Sequence, residues 1–298
     1  MHRRGCGASL AFMAEKILVT GATGKVGSEL VRLLAARGVE VKAGTRRVEL
    51  AEGLFEGSVE MVELDYDVTG TWDGAVQWAD RVFLVPPPFD PRGDERVIPF
   101  VDWAVQSGSD HLVLLSAMGI EARERLHLRR IEQRIERTGV NWTLLRPNIY
   151  MQNFARGFVA RGIREEGTFQ LPVGDAPVSF VDSRDVAAVA AVVLTGEDHF
   201  GRSHTLTGPE ALDHHRVAAV ISEATGRAIR YEPITENAMQ EMLARAGWPR
   251  ARADTFAGLL AAIREGRRSD VTPDIAEILG RPARSFEAFA EEHKSDWR

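Results

Sequence analysis

The segment KILVTGATGKVGSELVRLLAARGVEVKAGTRR, residues 16–47, carries most of the information about the architecture of this chain. Its opening run Ile17–Thr20 is short and apolar, as fully buried parallel strands are. Apolar residues then recur at helical spacing from Val26 to Arg37, and a β-branched run follows at Val39–Val41. Between the first strand and the helix stand three glycines spaced G-x-x-G-x-x-G, at Gly21, Gly24 and Gly27. This order predicts a right-handed βαβ unit.

The three glycines have defined roles if the unit binds a dinucleotide. One permits a tight turn, one lets a pyrophosphate approach the backbone, and one lets the helix pack closely on the strand. The free N–H groups at the helix N-terminus then favour an anion. Such glycines also occur in turns that serve only folding, and this alternative stays open. On the dinucleotide interpretation, the binding residues of the turn are Gly21, Thr23, Gly24, Lys25, Val26 and Gly27.

The end of the second strand predicts which dinucleotide binds. NAD sites usually place a carboxylate about twenty residues after the glycines, on the ribose 2′-hydroxyl. Here Arg46 and Arg47 follow the strand, and no carboxylate occurs before Glu49. Guanidinium groups suit a 2′-phosphate, and Lys25 can add a further cation. We therefore predict NADP(H), with solvated surface charges as the alternative, above all for Arg47.

Composition excludes several classes of protein. A net charge of −6 gives no support to a nucleic-acid-binding surface, and no apolar run is long enough to span a membrane. The single cysteine, Cys6, excludes an intrachain disulfide and a cysteine-rich zinc site. The pair His214-His215 lacks partners at ligand spacing, so we predict no metal site. Residues 1–14 make a poor signal peptide, and we expect a disordered extension on a cytoplasmic protein.

Strands and helices alternate as far as residue 147, which predicts a doubly wound parallel sheet of the Rossmann type. The further strands are predicted at Val59–Leu64, Arg81–Val85, His111–Leu115 and Trp142–Leu145, and the helices at Trp72–Ala79, Asp94–Ser107 and Glu121–Arg137. Beyond Asn148 the pattern is less regular. It predicts short strands at 168–173, 178–182 and 203–207 and helices at 183–194, 211–225, 236–246, 251–265 and 284–293. We therefore expect a nucleotide-binding domain over residues 15–147, continuous with a smaller α+β substrate-binding lobe over residues 148–298.

Four further candidate cofactor contacts lie just beyond predicted strands, where ligands bind in open α/β sheets. Asp65 lies near the expected adenine position, with a loop cap as an equal alternative. Pro86 begins a run of three prolines that stiffens the loop beneath the middle of the cofactor. Ser116 ends the fifth strand beside the expected nicotinamide, and Asn148 follows the sixth.

Several motifs together resemble the NmrA-like branch of the atypical short-chain dehydrogenases and reductases. The matching pieces are GATGKVG at 21–27, the Arg pair at 46–47, LLSAMG at 114–119, residues 127–132 followed by TG at 138–139, WTLLRPNIYMQNF at 142–154, PVSFVDSRDVA at 177–187 and HTLTGPEAL at 204–212. The resemblance covers nearly the whole chain. It implies a Rossmann fold and an NAD(P)H-dependent reductase of quinones, azo compounds, dyes or natural products. The same family contains a fungal regulator that binds dinucleotide without obvious turnover.

The catalytic Tyr–Lys pair of typical short-chain reductases is absent. None of the three tyrosines, Tyr66, Tyr150 and Tyr231, has a lysine four residues later. Hydride addition to a simple ketone leaves an alkoxide that needs a well-placed acid. A reduced quinone resembles a tyrosinate, whose conjugate acid has a pKa of about 10, so water or a weak acid suffices. The sequence thus favours a small conjugated acceptor.

The candidate catalytic residues are Ser116, His127 and Tyr150. Ser116 can hydrogen-bond substrate or cap a turn. His127 occupies the position of the family's helix histidine, and the resemblance implies a proton donor, while a solvent-facing or helix-structural role is the alternative. Tyr150 lies after the sixth strand, where it lines the cleft or packs in the core. Two other functions remain open, namely a dinucleotide-sensing regulator and a non-redox isomerase with tightly held NADP(H).

Overall fold

The computed structural model describes residues 15–51, 53–55 and 59–298, so the extension expected over residues 1–14 lies outside the described residues. The strands are β1 (Lys16–Val19), β2 (Glu40–Thr45), β3 (Glu60–Glu63), β4 (Arg81–Leu84), β5 (His111–Leu115), β6 (Asn141–Pro147), β7 (Thr168–Leu171), β8 (Arg202–Leu206) and β9 (Arg230–Pro233). The helices are α1 (Gly27–Ala36), α2 (Trp72–Val76), α3 (Gly93–Gln106), α4 (His127–Glu136), α5 (Gln152–Ala155), α6 (Gly157–Glu166), α7 (Ser183–Thr195), α8 (His214–Thr225), α9 (Glu236–Arg245), α10 (Arg250–Arg264), α11 (Asp274–Leu279) and α12 (Phe286–His293). Within these residues, no helix is both long and apolar enough to cross a membrane.

Seven strands form one sheet in the order β3-β2-β1-β4-β5-β6-β8, with every neighbouring pair parallel. The chain runs outward from β1 to β3 and then returns to place β4 on the other side of β1. This reversal is the topological switch point of a doubly wound fold. The predicted doubly wound sheet is confirmed. Because all seven strands run the same way, their carboxyl ends lie along one edge.

Both faces of the sheet are buried, which explains why its central strands are almost wholly apolar. Ile17 and Val19 of β1 belong to an apolar cluster on the face that α1 and α7 cover. Leu18 points to the opposite face and belongs to a second cluster that includes Phe100 of α3 and Ile131 of α4. Each of these five side chains is fully buried.

The chain beyond residue 148 contributes to the sheet as well as to the lobe. Helix α7 packs on α1, and β8 pairs with β6 as the outermost strand. The lobe has its own parallel pair, β7 with β9, and its own apolar cluster. The strand predicted at 178–182 was wrong, because that segment forms only isolated bridges. The helix predicted from Glu121 was too long, because α4 begins only at His127.

His214 at the start of α8 is buried in the lobe cluster, with its ring 5.5 Å from that of Phe180 and 5.2 Å from that of Tyr231. Burial lowers the pKa of His214 to about 4, against about 6.5 in the unfolded chain. Between these two pKa values the imidazole of His214 is protonated in the unfolded chain and neutral in the folded chain. The free energy of unfolding therefore decreases as the pH falls from about 6.5 to about 4.

We expect His214→Leu to reduce the pH dependence of the free energy of unfolding between pH 4.5 and 6 by about 1 kcal/mol per pH unit. Urea denaturation across this range measures the slope. His215→Leu is the matched control, because His215 is the next residue in the chain and its side chain is exposed. Equal slopes in the two variants would contradict this account.

Candidate functional site

Six of the predicted site residues lie directly beyond the carboxyl ends of neighbouring strands. Each strand of the series β1, β2, β3, β4, β5 and β6 is followed within two residues by a candidate, respectively Gly21, Arg46, Asp65, Pro86, Ser116 and Asn148. Helices α3 and α4 also begin at this edge. Residues far apart in sequence thus share the crevice in which ligands of open α/β sheets bind.

The glycine turn is tightly packed at its two ends and open in the middle. Gly21 has a φ of +59°, and a Cβ there would lie 2.9 Å from Cβ of Val85. A Cβ at Gly27 would lie 2.3 Å from the carbonyl oxygen of Gly21. Gly24, in contrast, is exposed, as is Thr23, while Val26 is buried beneath the turn. The turn leaves its backbone open to an approaching pyrophosphate at Gly24, which fits a dinucleotide.

Lys25 leaves the turn toward the lobe. Its ammonium group donates a 2.5 Å hydrogen bond to Oδ1 of Asn153. Burial lowers the pKa of Lys25, and the nearby charge of Arg156 lowers it further. Lys25 therefore connects the glycine turn to the segment that follows β6.

The arginines that follow β2 have no ion-pair partner among the described residues, whereas the carboxylate that follows β3 accepts a hydrogen bond. Arg46 and Arg47 are both exposed, and neither forms an ion pair with a described residue. They are thus available to an anion from outside the chain. The Asp65 carboxylate accepts a 3.0 Å hydrogen bond from the backbone N–H of Asp67, which is the loop-cap arrangement.

A buried threonine ties together the strand ends beneath the site, and sequence reasoning missed it. Thr20 Oγ1 accepts a 2.8 Å hydrogen bond from the backbone N–H of Val85, and the Tyr66 hydroxyl lies 2.9 Å away. Burial raises the pKa of Tyr66, so this phenol stays protonated. The three residues fix the ends of β1 and β4 relative to the loop after β3.

Ser116 belongs to a buried ionic network that the sequence analysis also missed. Its hydroxyl donates a 2.6 Å hydrogen bond to Oε1 of Glu132, which has no exposed side-chain surface. Glu132 also accepts two 2.9 Å bonds from the Arg146 guanidinium and one from Arg129. One signal was available, because Glu132 lies on the apolar face of α4, four residues after Leu128. The Ser116 hydroxyl proton is thus held by Glu132, while its oxygen can still accept a hydrogen bond.

His127 packs where α4 and α3 begin. Its Cδ2 lies 3.2 Å from the position of a Cβ at Gly93. Burial lowers the pKa of His127, opposed by the charges of Asp94 and Asp90. The side chain is half-buried, so the structure places it between the predicted solvent-facing and helix-structural alternatives.

Tyr150 is held by backbone pairing with Val181. Its side chain packs against the cluster beneath α1 and α7, and burial raises the pKa of its phenol. A phenol that resists ionisation can donate a hydrogen bond but is a weak acid toward a reacting group.

Asn148 has one amide atom that lacks a partner. Its Nδ2 donates to Oγ of Ser179 at 2.8 Å and to the carbonyl oxygen of Arg268 at 2.8 Å. A carbonyl can only accept, which fixes the orientation of the amide. Its Oδ1 is left buried without a hydrogen bond to any described residue. A buried acceptor of this kind calls for a donor.

The described residues contain no group of three or more His, Cys, Asp or Glu side chains that could hold a metal ion.

A glycine turn at the switch point of a seven-stranded parallel sheet defines a Rossmann-type α/β protein. The chain belongs to the NmrA-like family, whose model matches residues 13–260. Among curated relatives, it is similar to the (4-alkanoyl-5-oxo-2,5-dihydrofuran-3-yl)methyl phosphate reductase of Streptomyces griseus, with 39% identity over 93% of this chain and 97% of the relative. It is also similar to the NAD(P)H azoreductase of Xenophilus azovorans, with 34% identity over 93% and 97% of the two chains.

Solved structures share this fold. The triphenylmethane reductase of Citrobacter sp., complexed with NADP(H), has a TM-score of 0.76 and 23% identity over 95% of this chain and 100% of that one. NmrA, a negative transcriptional regulator in complex with NADP, has a TM-score of 0.72 and 18% identity over 94% and 95% of the two chains. Both similarities cover the nucleotide-binding domain and the lobe.

Proposed function

We propose that this protein is an NADPH-dependent oxidoreductase that transfers hydride to a small conjugated acceptor such as a quinone, azo compound, iminium or enone. The observation that carries the proposal is the arrangement along one sheet edge. The exposed Arg46–Arg47 pair, which forms no ion pair with a described residue, the open glycine turn and Ser116 follow β2, β1 and β5, in the order of these strands along the sheet. A dinucleotide bound to this type of fold lies across the crevice at the switch point, over these same strand ends.

The names of the relatives support the reductase class. One is named for azo reduction with NAD(P)H, and the other for reduction of an unsaturated lactone that carries a phosphate. Both names describe conjugated acceptors. Identities of 34% and 39% over nearly complete chains are the basis for extending this class of activity to the present chain.

Each part of the edge has a role in binding the cofactor. The backbone of the Gly21–Gly27 turn and the N-terminus of α1 would hold the pyrophosphate. Arg46, with Arg47, would hold the 2′-phosphate through charge-assisted hydrogen bonds. Pro86 would support the middle of the cofactor, and the unpaired Oδ1 of Asn148 would accept from a donor group at the nicotinamide end.

The proposed chemical step requires no strong proton donor from the protein. When bound, the nicotinamide would supply a hydride, which leaves a delocalised anion from a quinone, azo compound or enone and a neutral amine from an iminium. Ser116 would accept a hydrogen bond while Glu132 holds its proton, and Tyr150 would donate one from a phenol that stays protonated. His127, half-buried where α3 and α4 begin, would relay a proton from solvent. The main contribution of the protein is orientation in a cleft that excludes water.

The function is tested by following NADPH oxidation by the purified full chain at 340 nm with a panel of quinones, azo dyes and enones. Simple ketones serve as the matched negative class. Turnover confined to conjugated acceptors is expected. Turnover of simple ketones at comparable rates would contradict the proposed absence of a strong acid.

We expect Arg46→Glu to weaken the binding of NADPH about 10- to 100-fold, since a hydrogen bond to a charged group contributes about 1.5–3 kcal/mol. NADH, which lacks the 2′-phosphate, should bind almost unchanged. Dissociation constants from fluorescence titration measure both effects. Arg37→Glu, an exposed position beyond the far end of α1, is the control for general charge. Equal losses for the two cofactors would refute the assigned role.

A second candidate is a dinucleotide-sensing regulator without turnover. It is favoured by the missing Tyr–Lys pair and by the high pKa of Tyr150, which together leave no strong acid at the predicted site. Tight NADP(H) binding, without oxidation of NADPH by any member of the panel, would favour this alternative.

A further inference from the structure

The loop after α10 is attached to the carboxyl end of β6, next to the proposed nicotinamide position. The backbone carbonyl of Arg268 accepts hydrogen bonds from Nδ2 of Asn148 at 2.8 Å and from the backbone N–H of Ser179 at 3.0 Å. Both donors belong to described segments that pack beside β6. The main chain of Arg268 is therefore held at the ligand-binding edge, although α10 itself belongs to the lobe.

The Arg268 guanidinium reaches across to the turn after β5. A Cβ at Gly119 would lie 2.6 Å from its Nη1 and 3.7 Å from its Cζ. Gly119 comes three residues after Ser116 and has a φ of +73°. A side chain at Gly119 would displace the guanidinium. The absence of a Cβ at this position therefore allows the Arg268 side chain to lie beside the turn that follows β5.

Arg268 has no carboxylate partner among the described residues, and its side chain donates only to the carbonyl oxygen of Arg267 at 3.2 Å. The carboxylates of Glu121 and Glu265 are engaged by other arginines. Glu121 pairs with Arg146 at 3.5 Å, and Glu265 pairs with Arg267.

The environment of Arg268 is strongly cationic. Burial lowers its pKa, and the charges of Arg123 and Arg267 lower it further, opposed only by Glu121. A half-buried cation among like charges is costly unless an anion accompanies it.

The phosphates of the proposed cofactor lie too far away to be this anion. The glycine turn follows β1, and β5 is the second strand from β1. Neighbouring strands are about 4.8 Å apart, which places the turn after β5 about 10 Å from the pyrophosphate position and still farther from Arg46. The phosphates of the cofactor therefore leave the Arg268 cation without an anion, and a substituent of the substrate is the remaining source.

We propose that Arg268, assisted by Arg123, binds an anionic substituent of the acceptor, namely a carboxylate, sulfonate or phosphate monoester. The substituent fixes the acceptor so that its conjugated part lies toward the cofactor. This inference rests on the proposed function, since it specifies the substrate class of the same site. The planar guanidinium can engage two oxyanion atoms at once, which gives orientation as well as affinity.

The test uses unreactive probes, so it does not depend on turnover. The full chain is saturated with NADP⁺ to fill the cofactor's own phosphate positions. Binding of 2-naphthyl phosphate and of 2-naphthol is then measured by calorimetry. The phosphate is expected to bind about tenfold or more tightly than the alcohol, as a charge-assisted contact implies.

Arg268→Gln is expected to remove this preference while leaving 2-naphthol affinity and NADP⁺ affinity unchanged and the melting temperature no lower than that of the unmodified protein. Arg123→Gln should reduce the preference less, and Arg245→Gln, an exposed position on α9, should leave it intact. Equal binding of the two probes to the unmodified protein, or a preference that survives Arg268→Gln, would overturn the inference. If the preference holds and no acceptor of the panel is reduced, the anion site stands and the oxidoreductase function fails.

Discussion

Glu132→Gln is expected to lower the free energy of unfolding by about 3 kcal/mol, the lower end of the range for breaking a buried ion pair. Glu132 is fully buried and receives hydrogen bonds from Ser116, Arg146 and Arg129. The neutral amide leaves the two guanidiniums beside it without their shared carboxylate. The lower end applies because these side chains retain 12% and 15% exposure, so water can partly solvate them.

Urea denaturation of the full chain measures this effect. Glu124→Gln is the matched control, because Glu124 also faces Arg129, at 3.8 Å, but is 66% exposed. Glu124→Gln is expected to change the free energy of unfolding by no more than about 0.5 kcal/mol. Similar small effects of both substitutions would show that the Glu132 network does not hold α4 against the end of β5.

Gly27→Ala is expected to raise the dissociation constant for NADPH about 10- to 100-fold. The new Cβ would lie 2.3 Å from the Gly21 carbonyl oxygen and 3.0 Å from Cα of Ala22. Both neighbours are backbone, so no side-chain rotation can relieve the contact, and overpacking of this kind costs about 1–3 kcal/mol. Relief requires α1 to move away from the turn, and its N–H groups then lose their alignment toward the pyrophosphate.

Cofactor titration measures the effect, and thermal unfolding shows whether the variant is folded. Gly258→Ala, in α10, is the control, since a Cβ there meets open space. Gly24→Ala tests binding with less effect on folding, because Gly24 is exposed. Among the described residues a Cβ there would meet only the Gly21 carbonyl oxygen, at 3.1 Å. NADPH affinity that is unchanged in both turn variants would contradict the assignment of the turn to the cofactor.

Local patterns were sufficient to predict the sheet and its carboxyl edge. The helix after the glycine turn and the strand His111–Leu115 have periodicity that short segments reveal, and both are confirmed. The positions of Ser116 and Asn148 beyond strand ends followed from the same reasoning. Whether these residues bind the cofactor stays a prediction.

Long-range pairing was not predictable from one sequence. Nothing near Ser116 shows that its hydroxyl meets Glu132, sixteen residues later, because the contact depends on how α4 crosses β6. Arg268 is more remote still. Its sequence pattern predicts a surface loop, and its carbonyl oxygen is held at the site by hydrogen bonds from Asn148 and Ser179, which are 120 and 89 residues away. Likewise, the partner of β8 became clear only from the register that joins it to β6.

The pairing of β8 with β6 has a consequence for how this protein is made. During synthesis, β6 leaves the ribosome about 60 residues before β8, the strand that covers its outer edge, and α1 leaves it about 150 residues before α7. In that interval a nascent chain exposes unpaired backbone groups and an apolar helix face, the features that recruit other chains. The nucleotide-binding half therefore depends on the second half of the chain for protection against aggregation, and a chain arrested near residue 147 is expected to need a chaperone.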